Sequence, residues 1–286
     1  MDNKKHQLKN NIEQQKKGLL RNTIDKFYTK DNIVELCGNI IKNKIKILDD
    51  DLIIEPSAGN GVFINMIKTL SHNYKFYDIE PDNNSEIIKQ DYLNLKYEEF
   101  LKTHNMVHII GNPPFGRQSS LAIKFIKKSC EFCNTISFIL PKSFKKKSMH
   151  KYFPTNFHLI HEINLPEKSF LVNNIEYDVP CVFQIWEKKD TIRDIPINNE
   201  PINFKFVKKE ETPDISFRRV GVNAGNISKN IDTKSFQSHY FIKFTKNKKI
   251  DEIITKLKNC NFSHDNTVGP KSISKQELII EFNKLI

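Results

Sequence analysis

Short apolar runs alternate with helical patterns along most of this chain, and this alternation constrains the fold more than any other feature. Strand-like runs include "LII" at 52–54, "MVHIIG" at 106–111 and "TISFILP" at 135–141, with apolar residues at helical spacing between them. Two further strand patterns follow, "FHLIHEINLP" at 157–166 and "YDVPCVFQIWE" at 177–187. Buried strands that alternate with helices favour a doubly wound α/β sheet, mostly parallel, with helices on both faces.

Small and polar residues follow the first of these strands in "EPSAGNG", Glu55 to Gly61. Gly59 and Gly61 can take backbone angles that are closed to other residues. The pattern is not G-x-G-x-x-G, and no Lys-Ser/Thr follows to complete a phosphate-binding loop. Glu55 would repel a pyrophosphate, but it would suit a cationic ligand. A tight turn between a strand and a helix explains the same residues without any ligand.

Acidic residues end the next two predicted strands. Asp78 in "FYDIEP" could accept hydrogen bonds from both hydroxyls of a ribose. Asp91 and Tyr92 in "QDYL" could accept from the adenine amino group and cover the ring. Because ligands bind at the carboxyl ends of the strands in such sheets, these residues and Glu55 together indicate a pocket for an adenosine that carries a positive group. Solvated acids, a helix N-cap and a core aromatic are the structural alternatives.

The fourth strand runs directly into "NPPF", Asn112 to Phe115. The side-chain oxygen of Asn112 and the carbonyl oxygen of Pro113 can accept both hydrogens of an exocyclic amine, which localises the lone pair of its nitrogen. Pro113 and Pro114 have fixed φ angles, so these acceptors would be preorganised. Phe115 offers a ring that can stack on the target base, which a duplex must first extrude. The position of the motif after this strand therefore indicates methyl transfer to an amine.

In this order and spacing, "EPSAGNG", "DIEP", "QDYL" and "GNPPF" resemble the amino-methyltransferases that modify adenine N6 with S-adenosylmethionine (SAM). The motif order is that of their gamma group, and the upstream "KFYT" resembles the segment that closes over the methionine end of the cofactor. The resemblance implies a Rossmann-like seven-stranded sheet with an antiparallel last strand and a small C-terminal appendage. It implies SAM as the cofactor, bound by Tyr28, Thr29, Glu55, Pro56, Ser57, Ala58, Gly59, Gly61, Asp78, Ile79, Asp91 and Tyr92.

The same resemblance implies a catalytic loop formed by Asn112, Pro113, Pro114 and Phe115 around a flipped adenine. Phe170, which lies a little before the last strand, stands where the family often has an aromatic residue on the other face of that base.

The chain contains 45 Lys and Arg against 34 Asp and Glu, a net charge of +11, which favours an anionic partner such as nucleic acid. An AT-rich genome, such as that of a virus or a mobile element, over-encodes Lys, Asn and Ile and would explain much of the same charge. Lys145 and Lys146 in a basic run and the pair Arg218 and Arg219 are candidate substrate contacts. A solvated helix face is the alternative for the basic run.

The composition divides the chain into three parts. Residues 1–20 are polar and aperiodic and predict a flexible basic arm, 21–193 hold the methyltransferase motifs, and 194–286 predict a small basic region for substrate recognition. No apolar run approaches the roughly 20 residues that cross a bilayer, and the first residues lack a secretory signal, so we expect an intracellular, cytoplasmic-type location. Five cysteines without framework spacing fit a reducing compartment. We expect no metal, no membrane partner, and a monomer or small oligomer.

These features predict a SAM-dependent methyltransferase that acts on adenine N6 in DNA after base flipping. An RNA adenine-N6 methyltransferase could use the same pocket, although the doubled proline fits the DNA group better. A protein glutamine-N5 methyltransferase also uses Asn-Pro-Pro plus an aromatic residue, but its partner would not need the basic segments. A catalytically inactive nucleic-acid-binding subunit is the last alternative, and such a subunit would have no need to keep Asn112.

Overall fold

The computed structural model describes residues 27–194, 199–245, 249–260, 262 and 271–286. The predicted basic arm, residues 1–20, lies outside these residues. Tertiary contacts divide the chain into two compact units, each built from two segments. Unit 1 combines the residues up to Phe138 with Lys168–Asp178, and unit 2 combines Ile139–Glu167 with the residues from Val179 onward. The proposed division into parts at residues 193 and 194 stays a prediction.

The strands and α-helices of the described residues can be given in chain order. They are β1 (Tyr28–Thr29), α1 (Asp31–Lys44), β2 (Leu52–Glu55), α2 (Ile64–Lys68), β3 (Asn73–Asp78), β4 (Ile87–Lys89), α3 (Phe100–Thr103), β5 (Val107–Gly111), α4 (Ser120–Cys130), β6 (Thr135–Pro141), β7 (Phe157–Asn164), β8 (Phe170–Val172), β9 (Ile175–Tyr177), β10 (Cys181–Lys188), β11 (Phe204–Val207), β12 (Ile215–Arg218), β13 (Ile227–Ser228), β14 (His239–Phe244), α5 (Ile250–Leu257) and α6 (Lys275–Asn283).

The largest sheet has seven strands in the order β4-β3-β2-β5-β6-β10-β7. Strands β2 to β6 pair in parallel, whereas β10 is antiparallel to β7. Every residue of β2, β5 and β6 is buried, as expected for parallel strands that are covered on both faces. The predicted α/β class and the seven-stranded sheet with an antiparallel last strand are therefore confirmed.

The first helix of unit 1 packs one apolar stripe against the core. Helix α1 buries Ile33, Val34, Cys37 and Ile41, which recur at helical spacing. The helix that follows "EPSAGNG", α2, is short and spans only five residues. None of the helices in the described ranges is long and apolar enough to cross a membrane.

A small three-stranded sheet in unit 1, in the order β1-β8-β9, is absent from the sequence predictions. Strands β8 and β9 form a hairpin whose turn residues, Asn173 and Asn174, have φ angles of 51° and 61°. Asparagine tolerates this left-handed conformation, which suits a two-residue hairpin turn. In the β1–β8 pairing, Thr29 lies opposite Phe170. The hairpin thereby holds the strand that carries two predicted cofactor residues.

The C-terminal part of unit 2 contains an antiparallel four-stranded sheet, in the order β11-β14-β12-β13. Ile215, Phe217 and Ile242 from this sheet pack in one core with Leu278 and Phe282 from α6. Strands β11 and β12 lie within the sequences "INFKFVKK" and "ISFRRVGV", and helices α5 and α6 follow later in the described part of this unit.

Candidate active site

A cavity of about 380 Å³ lies in unit 1 at the carboxyl ends of β2, β3, β4 and β5. Its size falls within the range of small-molecule and cofactor sites. Of the predicted cofactor and catalytic residues, only Gly61 does not line it. The predicted residues that line the cavity are Tyr28, Thr29, Glu55, Pro56, Ser57, Ala58, Gly59, Asp78, Ile79, Asp91, Tyr92, Asn112, Pro113, Pro114 and Phe115.

The carboxylate of Asp78, at the end of β3, accepts hydrogen bonds from two main-chain N–H groups, one of which lies in the turn after β2. The N–H of Gly59 donates to Oδ2 of Asp78 at 2.8 Å, and the N–H of Glu80 donates to Oδ1 at 2.8 Å. Gly59 has a φ of +55°, and a Cβ at this position would lie 3.2 Å from the ring of Tyr28. A side chain here would therefore meet both backbone strain and a close contact. A carboxylate has about four lone-pair sites, so Asp78 can still accept from a ligand.

Glu55 at the end of β2 is a buried carboxyl group that forms no ion pair with any described residue. Among the described residues its Oε2 atom has no hydrogen-bond partner. Burial, and secondarily the negative charge of Asp78, raise the pKa of Glu55 to about 8. A cation in the cavity would reverse this shift because it favours the ionised carboxylate. The residue therefore fits the ammonium group of the methionine end of SAM.

The side chain of Asn112 is held by β1 and the residue before it. Its Nδ2 donates to the carbonyl oxygen of Phe27 at 3.1 Å and to Oγ1 of Thr29 at 3.2 Å. Since a carbonyl oxygen can only accept, the amide nitrogen must point toward Phe27 and the amide oxygen away from it. That oxygen, Oδ1, is buried and lacks a partner in the described part of the chain. An orphaned buried acceptor is costly, which is typical of a site that a ligand completes.

The backbone of the Asn112 loop is also fastened to the cofactor turn. Oγ of Ser57 donates to the main-chain oxygen of Asn112 at 3.2 Å. The two segments that the sequence analysis assigns to cofactor and target amine are thus joined by a direct hydrogen bond.

Three aromatic rings line up beside this loop. Phe27 is stacked on Phe115 at a centroid distance of 6.4 Å and on Tyr177 at 5.6 Å. Phe170 meets Phe27 edge-on at 6.3 Å and is fully buried in β8, so its ring presents no face to a base. Tyr177 on β9 is 47% exposed. The position of Phe170 therefore does not support its predicted contact with the target base.

Asp91 and Tyr92 line the cavity but also have clear structural roles. Both carboxylate oxygens of Asp91 accept hydrogen bonds, from the N–H of Leu93 at 2.9 Å and from the side chain of Asn94 at 2.7 Å. The hydroxyl of Tyr92 is 2.8 Å from Oγ of Ser129, and its ring is buried. The N-cap and the core aromatic that the sequence analysis gave as alternatives are both present. A contact of either residue with adenine stays a prediction.

The predicted basic contacts in unit 2 are engaged to different degrees. Nζ of Lys146 donates to the main-chain oxygen of Ser272 at 2.8 Å and lies 3.4 Å from the carboxylate of Glu277. Only 12% of this lysine side chain is exposed. The amino group of Lys146 is therefore not available to a phosphate, and its predicted substrate contact is not supported. Nζ of Lys145 donates to the side chain of Asn164 at 3.1 Å.

The arginine pair is held by main-chain oxygens. Nε of Arg218 donates to the carbonyl of Val220 at 2.9 Å, whereas Nε and Nη2 of Arg219 donate to the carbonyl of Gln237 at 3.1 and 2.8 Å. A guanidinium has five N–H donors, so both arginines keep donors for another acceptor.

The sheet order and the cavity at its carboxyl edge define a class I methyltransferase fold, for which SAM is the expected cofactor. Residues 46–194, about half of the chain, match the family model described as the EDM2 methyltransferase-like domain. The chain belongs to this family. The more specific resemblance to gamma-type adenine-N6 DNA methyltransferases is not confirmed by this match.

Comparisons with individual proteins add little beyond this family. No curated protein shows significant sequence similarity to the chain. A proposed RNA methyltransferase from Pyrococcus horikoshii is 14% identical with a TM-score of 0.46, over 58% of this chain and 87% of that one. A 23S rRNA methyltransferase is 12% identical with a TM-score of 0.42, over 58% of this chain and 71% of that one. A type IIG restriction endonuclease is 16% identical with a TM-score of 0.44, over 60% of this chain and 27% of that one. Likenesses this weak carry no information about the substrate.

Sequence reasoning missed two parts of the site. Phe27 lines the cavity and accepts from Asn112 through its main-chain oxygen, a role that no side-chain pattern can reveal. The hairpin that carries Tyr177 was missed because its strands are only three residues long. The pair "NN" at Asn173 and Asn174 was the available signal for that hairpin turn.

Proposed function

We propose that this chain transfers a methyl group from SAM to the N6 amine of adenine in DNA, after the base is flipped out of its stack. The observation that carries the proposal is the buried Oδ1 of Asn112, an acceptor at the wall of the cavity that has no partner among the described residues. It lies in the loop Asn112 to Phe115, which supplies two rigid prolines and a ring.

The cofactor would be held by other residues that line the same cavity. Glu55 supplies a buried carboxylate for the ammonium group, and Asp78 supplies lone pairs for the ribose hydroxyls. Asp91 and Tyr92 lie where an adenine ring could be bound. Bound SAM supplies an electrophilic methyl group on a sulfonium.

The target amine would be activated by acceptors of the chain itself. Oδ1 of Asn112 and the carbonyl oxygen of Pro113 would accept the two amine hydrogens and draw the lone pair out of the aromatic ring. Because both acceptors stand on a stiff loop, little reorganisation is needed when the amine arrives. Phe115 is buried against Phe27, so a base can stack on its ring only after Phe27 moves aside.

The proposal is tested by the identity of the methylated product. The full chain is incubated with methyl-labelled SAM and, in separate reactions, duplex DNA, single-stranded DNA, RNA and a protein extract. We expect label in N6-methyladenine from DNA. Label in RNA would assign the RNA alternative, label in glutamine the protein alternative, and SAM binding without label in any substrate the inactive subunit; each would overturn the proposal.

A further inference from the structure

Unit 2 contains a second concave site, and one predicted substrate contact, Arg219, lines it. A groove of about 720 Å³ opens at one end of the β11-β14-β12-β13 sheet. Its walls come from the end of β11, the start of β14, the loop before β14 and the first residue of α6.

Aromatic rings form the floor and one lip of this groove. Phe206 and Tyr240 are half-buried and meet edge-to-face at 5.5 Å. Phe236, in the loop before β14, is 76% exposed. A large apolar ring held in solvent beside two others is a stacking surface that the core does not require.

Cations are placed directly against these rings. The guanidinium of Arg219 lies 5.5 Å from the centroid of Tyr240, and Nζ of Lys275 lies 4.8 Å from that of Phe206 and 6.0 Å from that of Tyr240. Lys208, Lys209 and Lys234 also line the groove, against one carboxylate, Glu210. The groove therefore presents five cationic side chains and one anionic side chain to an occupant.

We propose that this groove binds a single strand of DNA, with a base stacked on the exposed ring of Phe236 and phosphates beside its lysines and Arg219. Rings interleaved with cations are the usual surface for unpaired nucleic acid, because bases within a duplex have no free face to stack. The choice of DNA rests on the proposed function. An acidic peptide would match the charge but would leave the exposed ring of Phe236 without a stacking partner.

The test measures binding without methyl transfer, so it stands apart from the test of the activity. Fluorescence anisotropy of the full chain is followed with a labelled DNA strand of about 16 nucleotides, its duplex, and the RNA of the same sequence. We expect the single DNA strand to bind the wild type more tightly than the duplex or the RNA. Tighter binding of the duplex or the RNA would overturn the proposal, even if methylation of DNA were observed.

Two variants separate stacking from charge. Phe236→Ala should weaken single-strand binding about fivefold or more. Lys275→Ala should reduce the slope of log K against log salt concentration by the amount expected for about one phosphate contact. The matched controls, Val222→Ala and Lys256→Ala, change exposed side chains of the same unit outside the groove and should bind like the wild type. Because Phe236 lies outside the core, its replacement should not unfold the chain. Unchanged affinity in Phe236→Ala, or equal losses in the controls, would refute the groove assignment.

Discussion

At position 112 the side-chain amide nitrogen donates two hydrogen bonds, while the buried amide oxygen has no partner within the part of the chain that the structure describes. Both bonds come from a segment more than 80 residues earlier in the chain, Phe27 and Thr29. These hydrogen bonds orient the amide oxygen, although that oxygen itself accepts none from the described residues. An oriented acceptor of this kind is typical of a site that is preorganised for a reaction.

Replacing Asn112 with alanine should remove the oriented acceptor. We expect a loss of methyl transfer of at least about 10²-fold, with the SAM dissociation constant within about twofold of the wild type. Turnover with labelled SAM and SAM binding by calorimetry are compared on the same preparation. A large loss of SAM affinity would contradict the role assigned to Asn112.

The hydroxyl oxygen of Thr29 accepts a hydrogen bond from the amide nitrogen of Asn112. We therefore expect Thr29 to behave as a positioning residue for this amide. Thr29→Val keeps the shape but removes the hydroxyl, so the amide keeps only its bond to Phe27; we expect kcat to fall about tenfold with KM for SAM little changed. Thr29→Ser keeps the hydroxyl and should restore most of the rate. If valine and serine reduce kcat equally, packing rather than the hydrogen bond is the cause.

Glu55 should release a proton when the cofactor binds. Burial raises its pKa to about 8, so below pH 8 the carboxyl is mostly protonated, and a bound cation lowers the pKa again and expels the proton. At pH 7 we expect close to one proton released per SAM through this group, and progressively less above pH 8. Titration calorimetry in buffers of different ionisation enthalpy measures this number.

The control for this experiment is Glu55→Gln, which has no proton to lose. SAM binding to this variant should release no proton from position 55. Because the variant should bind SAM more weakly, the titration is run at SAM concentrations above its dissociation constant. The same proton release in wild type and variant would assign it to another group.

At the scale of elements, the β8–β9 hairpin supports the site by holding β1. Thr29 pairs with Phe170, the N–H of Lys30 donates to the carbonyl of Ser169 at 3.1 Å, and the side chain of Lys30 pairs with Glu176 at 2.6 Å. These contacts fix the segment to which the Asn112 amide is bonded. The hairpin is therefore a structural support for the loop that contains Asn112 as well as the carrier of Tyr177.

Substitutions at Phe170 distinguish support from base contact. Phe170→Ala should lower the free energy of unfolding by about 3–5 kcal/mol, because it leaves a cavity in a fully buried position. Phe170→Leu removes fewer atoms, so it should cost less than Phe170→Ala and leave KM for DNA near the wild-type value. Denaturant unfolding and steady-state kinetics measure both quantities. A stable Phe170→Leu variant with a strongly raised KM for DNA would restore the predicted base contact.

At the scale of the whole chain, the charge of +11 does not by itself distinguish a nucleic-acid partner from the coding bias of an AT-rich genome. The distribution of the charge does bear on this question, because Lys146 is used in an internal ion pair whereas five cations line one groove. The number of charges that matter for binding is therefore smaller than the net charge.

The salt dependence of DNA binding should report how many charges of the protein take part in binding. For a single DNA strand we expect log K to fall linearly with log salt concentration, with a slope of about 0.7 per phosphate neutralised. SAM affinity should change far less over the same range, because Glu55 is buried and screened poorly by ions. Binding of DNA that does not respond to salt would contradict an electrostatic interface.

The sequence alone was sufficient for the main sheet and for the composition of the site. Strands such as β2, β5 and β6 are apolar on both faces, so the local pattern identifies them, and parallel pairing then brings their polar ends to one edge. Glu55, Asp78, Asn112 and Phe115 were predicted to meet for this reason, and all four line one cavity.

Only the tertiary structure decided how individual side chains are used. The direction of the Asn112 amide depends on a main-chain oxygen of Phe27, and the ion pair of Lys146 depends on Glu277, 131 residues further along the chain. Phe170 and Tyr177 lie on one short hairpin, yet one ring is buried and the other is 47% exposed. Periodicity records which residues avoid water, whereas the partner of a polar atom or the exposed face of a ring is set by residues that are distant in sequence and adjacent only after folding.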